Sequence, residues 1–133
     1  IKGRSDTGEE AFFTQLPNVT WHVLGEGFTW ETQDRARDIK AALAAWDEAK
    51  KMISDESYKM VLLDEINICL RYDYLDIKDV LEVLNNKPAD THVILTGRNA
   101  KDELIEIADL VTEMTQVKHP FRDGVKAQAG IEF

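Results

Sequence analysis

The sequence predicts an α/β fold in three layers, built on a mainly parallel sheet. Three observations carry this expectation. Met60–Leu63 and His92–Leu95 are short, unbroken apolar runs. The segments around them have helical periodicity. Strand and helix patterns alternate along the chain rather than clustering. Continuous apolar runs suit strands covered on both faces, and helix-length connections between such strands imply parallel neighbours.

Taken in order, Val19 to Leu24 is β-branched and aromatic, and Gly25 ends it, which predicts a strand. Residues 33–53 give the strongest helix pattern, with Ile39, Leu43, Trp46 and Ile53 lining one face. Thr32 is the expected cap of that helix, with Asp34 in its first turn. Met60–Leu63 is the next strand. Residues 76–86 read as a helix capped by Asp76, with Ile77, Val80, Leu81 and Leu84 facing inward. His92–Leu95 is another strand, residues 100–108 another helix, and Leu110-Val111 a last short strand. The tail from Lys118 has no clear period.

Composition narrows the function classes. The 133 residues are the size of one domain, residues 1–133. A hydrophobic content of 44% is too high for a disordered chain. The formal net charge of −9 disfavours duplex nucleic acid and anionic lipid, and no basic cluster exceeds Lys50-Lys51. The one cysteine, Cys69, rules out an internal disulfide and a cysteine-rich metal site. It lies in an apolar run and reads as a buried, inert thiol. No apolar stretch approaches the ~20 residues of a membrane span, and no signal peptide opens the chain, so a cytoplasmic protein is expected. Ile1-Lys2-Gly3 reads as the tail of a strand whose beginning lies upstream.

In a parallel sheet, ligands bind beyond the carboxyl ends of the strands. Three such ends carry small or polar residues: Gly25 to Trp30, Asp64-Glu65, and Thr96-Gly97-Arg98. Four apolar residues followed by Asp-Glu suit a magnesium–nucleotide site, because a buried strand delivers rigid carboxylates to its tip. The same pair also reads as solvated or helix-capping carboxylates. Phe28 and Trp30 point the same way in an extended segment, toward a ligand or into the core. Arg98 suits a phosphate contact or an ordinary surface position. His22, His92 and His119 have no metal-ligand spacing. None of the glycines at 3, 8, 25, 27, 97, 124 and 130 opens a Gly-x-x-x-x-Gly-Lys-[Ser/Thr] phosphate loop.

Five blocks, in order, resemble the P-loop type of ATP:corrinoid adenosyltransferases, the cob(I)alamin or cob(I)yrinic acid a,c-diamide adenosyltransferases. They are Gly27-Phe28-Thr29-Trp30-Glu31-Thr32-Gln33, Val61-Leu62-Leu63-Asp64-Glu65, Tyr72-Asp73-Tyr74-Leu75, Ile94-Leu95-Thr96-Gly97-Arg98, and Val117 to Phe121 with Gly124 to Gln128. The ending Gly130 to Phe133 resembles the family's ending. The resemblance implies a P-loop NTPase (RecA-like) fold lacking its N-terminal strand and phosphate loop. It implies transfer of the 5′-deoxyadenosyl group of ATP to the cobalt(I) of a corrinoid, with ATP and Mg2+ required. Phe28 and Trp30 would pack under the corrin and exclude its lower axial ligand. Glu65 would hold magnesium, Asp64 would support it, and Thr96 and Arg98 would contact nucleotide. A homodimer and a flavoprotein reductant are further implications. Without a phosphate loop, these 133 residues alone are expected to be inactive. Two other classes share parts of the pattern: a nucleotide-hydrolysing P-loop protein, which has no need of Phe28 and Trp30, and a non-catalytic corrinoid-binding module.

Overall fold

The computed structural model describes residues 8–24 and 34–127. The described residues fall into two compact units, one holding residues 23–24 and 34–109, the other residues 8–22 and 110–127.

The larger unit begins with α2 (Arg35–Ser54), following α1 (Gly8–Phe13) of the other unit. Asp34, and not Thr32, caps α2. One Asp34 side-chain oxygen accepts from the N–H groups of Ala36 and Arg37, meeting two of the unpaired amides of the first turn. Thr32 itself lies outside the described residues. The buried face of α2 is Ala42, Ala45, Trp46, Ala49 and Ile53, while Leu43 is exposed. Small alanines let the helix approach closely and leave Trp46 and Ile53 as its large inward side chains.

Among the described residues, β1 (Met60–Leu63) and β2 (His92–Leu95) form a two-stranded parallel sheet, with Met60 beside His92 and Leu63 beside Leu95. Between them run α3 (Ile66–Arg71) and α4 (Ile77–Asn85), and α5 (Asp102–Ile107) follows β2. Asp76 caps α4 as the sequence predicts, accepting from the Lys78 N–H at 2.9 Å. One apolar cluster joins Trp46, Ile53, Val61, Ile66, Leu70, Leu75, Val80 and Leu104, with Val93 and Leu95 packed against it.

Among the described residues helices cover one face of the strands, and two other expectations are corrected. Met60 and Leu62 remain more than half exposed, because all the surrounding helices feed the cluster beneath Val61. Residues 19–24 form no strand. A strand needs a ladder partner, and here the Val19 N–H turns back to the Leu16 carbonyl, while Trp21 stacks on Phe13 with ring centres 5.6 Å apart. Leu110-Val111 is likewise unpaired, with Leu110 84% exposed. In that second unit, residues 120–123 make a 3-10 turn. His119 Nδ1 accepts from the Phe121 N–H at its start, and Gly124 closes it at φ 80°.

Candidate functional site

The tips of β1 and β2 are locked together by one hydroxyl. The last ladder bond runs from the Thr96 N–H to the Leu63 carbonyl at 3.3 Å. Beyond it, the Thr96 hydroxyl donates to Asp64 Oδ1 at 2.8 Å and accepts from the Glu65 N–H at 2.9 Å. A hydroxyl does both at once, which valine, its near isostere, does not. The Thr96 carbonyl then accepts from the Asn67 N–H at 3.3 Å, so the start of α3 is tied to the same tip.

This arrangement separates the roles of the adjacent carboxylates. Asp64 is drawn into the lock between strands. Glu65 sits at the N-cap position of α3 in a left-handed conformation, φ 60°, but its side chain caps nothing. Its Oε2 is screened from solvent and accepts no hydrogen bond. A buried carboxylate oxygen left unpaired carries a desolvation cost that a cation or donor would relieve.

The backbone around the tip is unusual. Glu65 and Asn99, on either side of the tip, take positive φ, as does Asp73 in the turn after α3, and Gly97 stands at φ 126°. Such conformations cost of order 1–3 kcal/mol each in a non-glycine residue and gather at functional sites. Gly97 is required sterically as well. A Cβ there would lie 2.9 Å from Asn67 Cβ and 3.3 Å from Glu65 Oε2.

A second set of contacts pins the turn after α3. Lys101 pairs with Asp73 at 3.0 Å. Arg35 donates to the Tyr72 carbonyl at 3.0 Å and lies over the Tyr74 ring, which stacks on Tyr72. Arg35 thereby ties the beginning of α2 to this turn. Burial holds the Tyr74 phenol above its ordinary pKa, with the Asp38 charge adding to the effect. Burial also pushes the Cys69 thiol up, away from the reactive thiolate.

Of the sequence-predicted site residues, the fold brings Asp64, Glu65 and Thr96 together. Arg98 follows Gly97 on the same tip and is exposed. Phe28 and Trp30 lie outside the described residues. Among the described residues, no group of three or more His, Cys, Asp or Glu side chains converges as a metal cage. An ion held here would draw on few protein oxygens, as magnesium does when phosphate and water complete its shell.

Sequence reasoning missed Asn67, 6% exposed at the same tip. The signal was available: it is the one polar residue in the run Ile66-Asn67-Ile68-Cys69-Leu70.

A family model described as "ATP:corrinoid adenosyltransferase BtuR/CobO/CobP" matches residues 1–133, the whole of the chain. The chain belongs to the ATP:corrinoid adenosyltransferase family. Curated relatives of that name agree. A corrinoid adenosyltransferase of Sinorhizobium sp is 60% identical over 136 residues, covering 100% of this chain and 64% of that protein. One from Pseudomonas aeruginosa is 54% identical, covering 100% of this chain and 66% of its own length. One from Escherichia coli K12 is 43% identical, at 100% and 67%. The chain thus spans about two thirds of the length of the curated relatives it matches. Within this chain, the Thr96 hydroxyl joins Asp64 and the Glu65 N–H at the tips of the parallel strands. No helix among the described residues is long and apolar enough to cross a membrane.

Proposed function

We propose that this chain is part of an enzyme that transfers the 5′-deoxyadenosyl group of ATP to the cobalt(I) of a corrinoid. Family membership supports the reaction class. The single structural observation that supports the site is Glu65 Oε2, buried and unpaired at the parallel strand tips beside the Thr96 lock. In this reading the fold is the three-layer P-loop NTPase type, and the enzyme is a cytoplasmic homodimer supplied with electrons by a flavoprotein.

The chemistry asks the protein for position more than for reactive side chains. The substrate cobalt(I) attacks C5′ of ATP. The Co–C bond forms as the C5′–O bond breaks, and triphosphate leaves with the electron pair. Glu65 would hold magnesium, which would supply positive charge against the leaving triphosphate. Asp64, through Thr96, fixes the tip so that Glu65 has one position. The Thr96 hydroxyl and N–H are both given to the lock, so Thr96 shapes the tip rather than donating to phosphate, and the phosphate contact falls to the exposed Arg98. Phe28 and Trp30 occupy the lower face of the corrin and keep an axial ligand off cobalt(II), easing its reduction.

The test uses a chimera in which the Pseudomonas aeruginosa relative supplies the part of its length that this chain does not match. Adenosylcorrinoid formation from chemically reduced cobalt(I) and magnesium–ATP should appear in the chimera. It should fall at least about tenfold in Glu65→Gln, as expected when a metal-site carboxylate is altered. Phe28→Ala and Trp30→Ala should be slow from cobalt(II) and recover much of their rate from cobalt(I). Equal losses from both starting states would mean that the rings only position the corrin. A chimera that folds, binds corrinoid and releases phosphate from ATP without adenosylation would replace this reading with a nucleotide hydrolase.

A further inference from the structure

Asn67 is 94% buried by its 6% exposure, yet its Oδ1 has no hydrogen-bond partner. Glu65 Oε2 is in the same condition. Both side chains close on the point where a Gly97 Cβ would stand, one through Asn67 Cβ at 2.9 Å, the other through Oε2 itself at 3.3 Å. Two side chains that touch the same glycine position thus each carry an acceptor with no donor to meet it. Packing alone does not call for an amide here, since leucine has nearly the same shape and would leave nothing unsatisfied. The backbone already supplies the structural tie, through the Asn67 N–H to the Thr96 carbonyl.

We propose that Asn67 is a metal-positioning residue: its Oδ1 and Glu65 Oε2 are a paired acceptor set that receives a hydrated divalent cation, Asn67 through the ion's water. The proposal rests on the reading of Glu65 as the magnesium carboxylate. A neutral amide suits the task. It adds an acceptor without a third negative charge beside Glu65 and Asp64, and it limits the site to a cation that keeps its water shell.

The experiment titrates Mn2+, in place of magnesium, into the 133-residue chain and reads bound ion by electron paramagnetic resonance, with thermal unfolding recorded on the metal-free chains. The wild-type chain should bind Mn2+ saturably and Glu65→Gln should not. Asn67→Leu should weaken binding about tenfold, the usual loss when a partner outside the direct ligands is removed. Asn67→Asp, which keeps the acceptor, should bind at least as tightly as wild type. The metal-free Asn67→Leu chain should melt at the wild-type temperature or above. Loss in Glu65→Gln with unchanged binding in Asn67→Leu overturns this proposal and leaves the Glu65 reading standing. A lowered melting temperature in Asn67→Leu overturns it too, since the amide would then be serving the fold. No saturable binding by the wild-type chain overturns both.

Discussion

Two places in the unit around the sheet bring polar atoms against the core, and they treat them in opposite ways. Between α2 and α4, Trp46 is 2% exposed and its indole N–H donates to Asp79 Oδ2. Lys50 reaches the same carboxylate at 3.7 Å and Asp47 at 2.9 Å, and the Asp47 hydrogen bond raises its pKa above the ordinary lysine value. At the strand tips, Glu65 Oε2 and Asn67 Oδ1 are just as enclosed and have no partner. Satisfied polar contacts hold helices together. Unsatisfied ones cost about 1–3 kcal/mol each unless water or an ion meets them. In the reading proposed above, that difference marks the tips as the site and the α2–α4 contact as scaffold.

The largest effect should come from breaking what both places rest on. Leu70 is fully buried in the shared cluster, so Leu70→Ala should cost about 2–5 kcal/mol in urea unfolding. A loss under about 1 kcal/mol would mean that the cluster repacks. Next, Gly97→Ala breaks the tip alone. Its φ of 126° and the 2.9 Å approach to Asn67 Cβ should cost about 1–3 kcal/mol and abolish Mn2+ binding. Trp46→Phe breaks only the scaffold contact. Because Asp79 is partly exposed and rehydrates, the cost should be near 1 kcal/mol, with Mn2+ affinity unchanged. Combined with Gly97→Ala it should be additive within about 0.5 kcal/mol if the two places are independent. Smallest in its loss, Glu65→Gln should leave the metal-free chain at least as stable as wild type, since it removes a buried unpaired charge, while removing metal binding. A large stability loss there would return Glu65 to the scaffold.

Much of the sheet's anatomy was legible because period and capping are local. The runs at Met60 and His92, the Asp76 cap and the face of α4 follow from short stretches of sequence. The parallel pairing followed from the length of the connection. What was not legible depends on partners. Residues 19–24 have strand composition but no ladder, and Leu43 lost its inward place to Ala42 and Ala45 because close helix packing favours the smaller side chain. At the site, Asp64, Glu65 and Thr96 could be placed at strand ends, but the division of labour between the two carboxylates arises from the Thr96 hydroxyl and the left-handed Glu65 backbone. Asn67 was visible only as a polar letter in an apolar run.

The parallel pairing of β1 with β2 has a kinetic consequence. Residues 64–91 must be gathered before Leu63 meets Leu95, so the ladder closes a long loop and forms late relative to local structure. Helices α3 and α4 lie wholly inside that loop and shorten the search when they form first. Substitutions that raise helix propensity on the exposed side of α4, such as Asn85→Ala, should therefore speed refolding more than they slow unfolding, whereas truncations in β2 should act chiefly on the unfolding limb. The strand tips are then assembled last, and the order of events during folding is written into the connection between two four-residue strands.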